Sequence, residues 1–204
     1  LGELLLDRMK KFFQISLVLF LMSVSCNIVK AQDFALKTNV LYDATATINL
    51  GAEVGLAPKW TFDLSGNYNP FVMPGGKLWK HAMAQPEFRY WFCDRFSRHF
   101  LGFHGIGGIY NIGNIPNNLK LGKMDFSSLT DYRYEGWAVG AGIAYGYAFI
   151  LNKHWNFELE IGVGYIYTEN DKFECIECGK RLAEDVPFHY FGPTKAAINF
   201  VYLF

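Results

Sequence analysis

The sequence predicts an all-β fold, and more narrowly an eight-stranded antiparallel transmembrane β-barrel of the outer-membrane type. Eight segments alternate between two classes of side chain at every second position, which is the period of a β-strand. One face of each segment carries large apolar residues, and the other carries small or polar residues. This second face does not have the composition of a strand face that contacts water. Aromatic residues make up 18% of the 204 residues and charged residues 19%, with 20 glycines. This balance is typical of strands whose outer faces contact lipid.

The first 31 residues precede all eight segments and have the pattern of an export signal. After Met9 come two lysines and the apolar run 15–22, which is too short to cross a bilayer, and then small residues at a cleavage site. We expect residues 9–31 to be a signal peptide that is removed. Residues 32–204 would then form a single barrel domain, with residues 1–8 an extension upstream of the natural start. No later stretch is apolar enough for a transmembrane helix.

The first three predicted strands cover residues 35–44, 49–56 and 60–69. Each sets a row of apolar side chains against a row of small or polar ones, and turn-forming residues separate the segments. In the third strand the apolar row is Trp60, Phe62, Leu64, Gly66 and Tyr68, and the polar row is Thr61, Asp63, Ser65, Asn67 and Asn69.

The fourth and fifth predicted strands cover residues 81–92 and 99–110. The fourth alternates clearly, whereas Gly105, Gly107 and Gly108 blur the alternation of the fifth. This glycine run is not a phosphate-binding loop, because it lacks both the strand-to-helix context and a following Lys-Ser/Thr pair. We expect it to pack in the interior or to bend the strand.

The last three predicted strands cover residues 136–149, 155–167 and 195–204. The small row of the sixth strand contains only glycine and alanine, which suits a narrow barrel interior better than a solvated surface. The eighth strand ends with aromatic residues at alternate positions, as in the recognition tail of outer-membrane barrels. We expect that tail to be the assembly signal read by the barrel-insertion machinery, through Phe200, Tyr202 and Phe204.

The predicted connections alternate in length. Short ones lie at residues 57–59, 93–98 and 152–154, long ones at 70–80, 111–131 and 169–191, and residues 45–48 are a short exception. Short periplasmic turns that alternate with longer outer loops are typical of bacterial barrels. The pattern predicts an outer-membrane location with both termini in the periplasm.

The same alternation directs charged residues toward the interior. A lysine or arginine on the lipid face at the membrane midplane would cost roughly 2–4 kcal/mol, and unpaired buried charge is also costly. We therefore expect ion pairs across strands, with His81 or His104 as further partners. The predicted inward set is Lys37, Asp43, Glu53, Asp63, Glu87, Arg89, Glu158, Glu160 and Lys195.

Two interpretations of this interior remain open. The first is a closed, salt-bridged core with a structural role, because an eight-stranded interior is about wide enough to be filled by side chains. The second is a polar channel or small-ligand site lined by Glu158, Glu160 and Arg89.

A Cys-x-x-Cys pair, Cys175 and Cys178, falls in the last long loop. An oxidising, exported setting favours a disulfide between them over free thiols or a metal site. A metal would need further ligands, for which Glu174, Glu177 and His189 are available. We predict no metal.

Two other cysteines complete the set. Cys93 lies in a short turn, where packing is the favoured role. Cys26 is an alternative lipidation site, although Ser23 stands where such sites normally have leucine.

The sequence carries no sign of catalysis, cofactor binding or nucleic-acid binding. The net charge is zero, so no basic field attracts nucleic acid. No Ser-His-Asp arrangement is evident, and we predict that the protein is not an enzyme. The alternative is a lipid-modifying enzyme that uses His189 with Ser127 or Ser128 near the outer rim.

Several stretches resemble a Bacteroidota family of small outer-membrane barrels, a domain family of unknown function, across residues 34–204. The stretches are 37–43, 60–66, 85–92, 133–137 and 190–197. The resemblance implies an outer-membrane location, and the association of some relatives with fimbrial gene clusters implies surface assembly. It implies no catalytic residues. The architecture is similar to that of the OmpA and OmpX barrels, which does not establish function.

These observations favour a structural or surface-interaction protein whose loops 111–131 and 169–191 meet partners. The expected partners are outer-membrane lipid, the insertion machinery, and surface or fimbrial proteins. A conduit for small solutes or lipophilic ligands is the alternative.

Overall fold

The computed structural model describes residues 33–115, 120–121, 124–125, 129–174 and 179–204; residues 1–8 and the predicted signal peptide lie outside these ranges. Within them, no helix is long and apolar enough to cross a membrane. The fold is all-β apart from one short helix. In chain order the elements are β1 (Phe34–Asn39), α1 (Val40–Ala44), β2 (Ile48–Ala57), β3 (Trp60–Asn69), β4 (Val72–Met73), β5 (Lys77–Trp91), β6 (Arg98–Gly113), β7 (Lys120–Leu121), β8 (Met124–Asp125), β9 (Arg133–Ile150), β10 (Trp155–Phe173) and β11 (Arg181–Leu203).

Eight strands pair edge to edge in a closed antiparallel ring. The order is β1, β2, β3, β5, β6, β9, β10 and β11, and β11 pairs back to β1. This seam runs from Ala35 opposite Leu203 to Asn39 opposite Asn199. Strand β4 only extends the edge next to β5, and β7 pairs with β8 alone. The predicted all-β class and the eight strands are confirmed.

The ring closes with a stagger that fixes the tilt of its strands. Paired residues followed from Ala35 through β2, β3, β5, β6, β9 and β10 lead to Gly192 on β11, whereas Ala35 itself pairs with Leu203. One of the intervening residues, Thr194, is a bulge, which leaves a stagger of ten residues. With a rise of about 3.3 Å and a strand spacing of about 4.8 Å, this stagger implies a tilt of roughly 40°.

The two ends of the ring differ. Both ends of the described chain and the short turns after β2, β5 and β9 lie at one end, which we call the lower end. Helix α1, the β4 extension and the β7–β8 pair lie toward the upper end. There β10 and β11 are the longest strands and pair with each other up to Phe173 and Arg181.

Inward and outward faces alternate as predicted. On β9, the small residues Gly142, Ala144 and Ala148 are buried, while the intervening Ile143 is 62% exposed. The glycine-rich β6 follows the same rule, with His104 buried. Exposed large apolar side chains lie on β2, β3, β5, β6, β9, β10 and β11, so the apolar rows face outward.

The first predicted strand is wrong in its second half, because residues 40–44 form α1. Asn39 starts the helix by accepting a hydrogen bond from the Leu41 amide at 3.1 Å. Its side chain also takes the place of a strand against β11, donating to the Ala196 carbonyl at 3.3 Å and accepting from the Ile198 amide at 3.1 Å. Asp43, which was predicted to face inward, is exposed on this helix.

The predicted outer loops are also shorter than expected. Most of 169–191 continues β10 and β11, which leaves only residues 174–180 between the strands. Pro187 and Pro193 made this extension look like a loop in the sequence, because proline is uncommon within strands. Among the described residues β1 covers β11 only as far as Asn199, so the missing proline N–H groups need not interrupt a ladder on that side.

Candidate functional site

Eight charged side chains from six strands meet inside the ring, and each is at most 8% exposed. They are the predicted inward set without Asp43, and we call them the charge layer: Lys37, Glu53, Asp63, Glu87, Arg89, Glu158, Glu160 and Lys195. At this level the inward residues of β9 are the small Gly142, Ala144 and Gly146, and β6 contributes Gly102 between Phe100 and His104. The small residues leave room for the long side chains from the other strands.

Arg89 lies at the centre of the charge layer. Its Nη1 donates to Glu53 at 2.9 Å and to Glu158 at 3.1 Å, and its Nη2 donates to Glu160 at 2.8 Å. Its Nε donates to Glu87 at 2.5 Å. The planar fork of the guanidinium suits several carboxylates at once. One cation therefore joins β2, β5 and β10 across the interior.

Lys37 completes the charge layer on the β1 side. Its Nζ contacts Glu53 and lies 3.3 Å from Asp63 and 3.6 Å from Glu158. Thr61 adds a neutral donor, because its hydroxyl bonds to Glu53. Lys37 thus compensates carboxylates from three strands that would be costly to bury unpaired.

Lys195 has the same role on the β11 side. Its Nζ lies 2.5 Å from Glu87 and 3.0 Å from Glu160. Of the two histidines expected near the carboxylates, His104 is buried with its Nδ1 at 3.9 Å from Glu87. His81 lies higher in the ring, away from the charge layer.

A hydrophobic cluster fills the ring below the charge layer. Its members are Ala35, Trp91, Phe96, Phe100, Ala148, Val201 and Leu203. Phe96 comes from the turn after β5, and its carbonyl accepts a hydrogen bond from Asn156 at 2.7 Å. The Phe100 ring centroid lies 4.4 Å from the Arg89 guanidinium, so the cluster and the charge layer touch.

Two cavities lie on the upper side of these layers. The smaller, about 20 Å³, borders Lys37, Asp63 and Lys195 and has room for about one water molecule. The larger, about 240 Å³, is the upper cavity, defined by Tyr42, Trp79, His81, Met83, Ile106 and Ile112 with neighbours on β6 and β9. Tyr42 of α1 borders both cavities, and its ring centroid lies 6.4 Å from that of His81.

The model of a family described as "Protein of unknown function (DUF3575)" matches residues 17–204, nearly the whole chain. The chain belongs to the DUF3575 family. No curated protein and no solved structure matches it significantly.

The other predicted sites of the DUF3575 chain lie elsewhere. Cys175 and Cys178, with the expected disulfide, and Ser127 and Ser128 fall outside the described residues. Cys93 is exposed and free. Among the described residues, no group of three or more His, Cys, Asp or Glu side chains is arranged to hold a metal ion.

The C-terminal aromatic row lies on the outer face of the ring. The ring centroids of Phe200 and Phe157 are 5.5 Å apart, and those of Tyr202 and Trp155 are 5.0 Å apart. Phe204 packs 5.5 Å from the ring of Phe34. The residues expected to guide assembly therefore also pack against both neighbours of β11, which are β10 and β1.

His189, the candidate for lipid chemistry, does not meet another catalytic type in the described part of the DUF3575 chain. Its Nδ1 lies 2.5 Å from the Tyr165 hydroxyl in an exposed cross-strand pair. Such a pair resembles the interfacial aromatic contacts of a strand surface more than a nucleophile and its base.

Sequence reasoning missed three residues of this site. Tyr42 enters the interior from α1, although the alternation places it on the outward face of the first predicted strand, and Phe96 enters from a turn. Asn39 ends β1 and holds the seam with its side chain. The one available signal was an Asn at a strand end, which is a common cap for a following helical turn.

Proposed function

We propose that this chain is an outer-membrane β-barrel with a structural or surface-interaction role, whose upper extension meets partner molecules. The observation that supports it best is the inverted polarity of the ring. Ile109, Ile143 and Ile161 are 62–63% exposed, whereas the charge layer is buried. Apolar area in water costs about 25 cal/mol per Å², and lipid tails remove that cost.

The height of the apolar belt fits a membrane. On β10 it runs from Trp155 to Tyr167, which at a tilt of roughly 40° corresponds to about 30 Å. Outer-membrane barrels have an apolar band of about 25 Å between aromatic girdles. Here Trp155 packs 5.0 Å from Tyr202 at the lower edge, and Trp137 packs 5.6 Å from Tyr167 at the upper edge.

The orientation follows from the turns and the leader. The export signal at 9–31 would deliver the chain across the inner membrane, and the short turns would face the periplasm with both termini. The row of Phe200, Tyr202 and Phe204 would be read by the insertion machinery. The resemblance to Bacteroidota barrels supports the same placement.

The upper extension is the part that would meet partners. We define it as residues 168–173 of β10 and 181–188 of β11, which pair beyond Tyr167 and His189. Six further residues on β10 extend it about 15 Å at the tilt given above. Leu182, Val186 and Phe188 are 40–48% exposed there. Apolar side chains above the girdle and outside the ring are suited to protein contact, and the fimbrial association of similar barrels suggests surface fibres as one class.

The barrel is tested before the partner. Refolded protein that stays soluble without detergent, with no heat-dependent migration on gels, would refute the membrane proposal. A photo-crosslinking amino acid is then placed at Phe188 in living cells, with Ile161 in the belt as the matched control. We expect Phe188 to be reached by external protease and to cross-link to protein, and Ile161 to cross-link to lipid.

Deletion separates the interaction role from the barrel. A chain with residues 170–186 replaced by a short turn should still insert and show heat-dependent migration, but should lose the Phe188 cross-linked product. If every surface phenotype and every cross-link survives the deletion, the interaction role is wrong while the barrel stands.

A ligand-related role is the second candidate, and the upper cavity is the observation that favours it. Passage through the ring is opposed by the charge layer and the hydrophobic cluster, which lie in series below that cavity. We therefore propose binding rather than transport. Steady ion currents from the purified protein in planar bilayers would overturn this choice and restore the conduit.

A further inference from the structure

We propose that the upper cavity is a binding site for a small planar aromatic compound of one or two rings that carries an N–H or O–H donor. Its walls are Tyr42, Trp79, His81, Met83 and Ile106 together with Ile112 and adjacent backbone. The site needs only the closed ring and does not rest on the proposed surface role.

The size of the cavity sets the size of the ligand. An apolar cavity of about 150 Å³ accepts benzene, and the upper cavity measures about 240 Å³. Two fused rings therefore fit within the upper cavity.

The side chains that line the upper cavity favour a planar ligand. Three aromatic side chains, Tyr42, Trp79 and Tyr110, border the space, and aromatic faces favour planar partners. Two of them are held in place: Trp79 meets the His81 ring edge-on at 6.1 Å, and the Tyr110 hydroxyl bonds to Thr168 at 2.8 Å. The site is thus largely formed before a ligand arrives, as small-molecule pockets usually are.

The chemistry of His81 favours a ligand that carries a hydrogen-bond donor. Its Nδ1 lies 3.3 Å from the Trp79 carbonyl oxygen, and because a carbonyl only accepts, Nδ1 carries the proton. In the neutral ring Nε2 is then an acceptor. Nε2 is buried and has no hydrogen-bond partner among the described residues. A ligand N–H or O–H that reaches Nε2 would supply the missing partner.

The experiment measures indole binding to the full chain in lipid nanodiscs by equilibrium dialysis, with empty nanodiscs as the blank. The comparison compound is 1-benzothiophene, which matches indole in size but has no N–H. We expect saturable binding of both, with indole favoured by roughly tenfold, the effect of satisfying one buried acceptor. In His81→Phe this preference should disappear.

Cavity-filling variants locate the site. Ala138→Phe places a ring in the upper cavity, and Ala141→Phe is the matched control three residues along β9 on the outward face. We expect Ala138→Phe to lose at least tenfold in indole affinity and Ala141→Phe to bind as wild type. Met83→Trp fills the cavity from β5 in case Ala138→Phe fails to fold, which heat-dependent migration would show.

Three results would overturn the proposal. They are no saturable indole binding by folded wild type, unchanged affinity in both folded cavity-filling variants, or equal loss in Ala141→Phe. Equal affinity of wild type for indole and 1-benzothiophene would overturn the donor requirement assigned to His81. A protein that does not partner surface molecules but binds indole would leave the site standing.

Discussion

Arg89→Met is the sharpest test of the charge layer. Arg89 donates to four carboxylates at 2.5–3.1 Å from a fully buried position. The layer has five carboxylates and three cations, a formal excess of two negative charges when all are ionised. Without Arg89 the excess becomes three. Removing one partner of a buried ion pair costs about 3–5 kcal/mol, because the other charges stay buried.

The assay is urea unfolding of protein refolded into lipid vesicles, followed by tryptophan fluorescence and gel migration. We expect Arg89→Met to lose about 3–5 kcal/mol of unfolding free energy, or to fail to fold. Arg98→Met is the matched control, since Arg98 is exposed at the start of β6. It should stay within about 0.5 kcal/mol of wild type.

A rescue variant separates charge from volume. Adding Glu53→Gln and Glu158→Gln to Arg89→Met removes two of the carboxylates that lose their hydrogen bonds to Arg89, and it lowers the formal excess of negative charge from three to one. Much of the lost stability should return if uncompensated charge is the cause. The reasoning is refuted if Arg89→Met unfolds within about 1 kcal/mol of wild type, or if the triple variant is no more stable than the single one.

Three further predictions follow. Gly142→Ala should cost about 1–3 kcal/mol in urea unfolding, because its Cβ would lie 2.5 Å from the Val163 carbonyl oxygen, whereas Gly66→Ala has open space and should be neutral. Asn39→Ala should cost about 1–3 kcal/mol and speed hydrogen exchange at the Ile198 amide, which loses its acceptor; unchanged exchange there would contradict the role of Asn39 in the seam. Deleting Phe204 should slow insertion in cells while refolding in detergent proceeds normally, and equal defects in both would assign it to packing instead.

The sidedness of the strands could be predicted from sequence because alternation is a local property. Ala144 and Ile143 differ in burial simply because they are neighbours on one strand. The same rule placed Glu158 and Glu160 inside, without any knowledge of their partners. Sequence therefore identified the members of the charge layer strand by strand.

The pairing within the layer could not be predicted, since it depends on the stagger of the ring. Arg89 meets Glu158 and Glu160 across the interior only because β5 and β10 stand at particular relative heights. That relative height results from the pairings β5–β6, β6–β9 and β9–β10, and the stagger of the whole ring also includes the bulge at Thr194. No local pattern records a bulge that shifts the ladder by one residue.

Two misassigned segments have a different cause. In α1, Val40 and Tyr42 keep the spacing of a strand. The Asn39 side chain nevertheless caps a helical turn, and the segment forms a helix. In the upper extension, both faces of β11 lie outside the ring, so the inside–outside contrast that produces alternation is lost. Pro187 and Pro193 then argue for a loop, although β1 no longer covers that edge.

Small residues in the ring wall make space for particular charged side chains, in addition to fitting a narrow interior. A Cβ added at Gly51 would meet the Lys37 side chain at 2.6 Å, and one added at Gly102 would meet the Glu87 carboxylate at 2.6 Å. Both glycines therefore provide clearance for members of the charge layer rather than flexibility. The charged side chains and these glycines therefore fit together sterically. The Gly/Ala face on one side of the ring thus predicts long, paired side chains on the other, which is the pattern to look for in any sequence that suggests a filled eight-stranded ring.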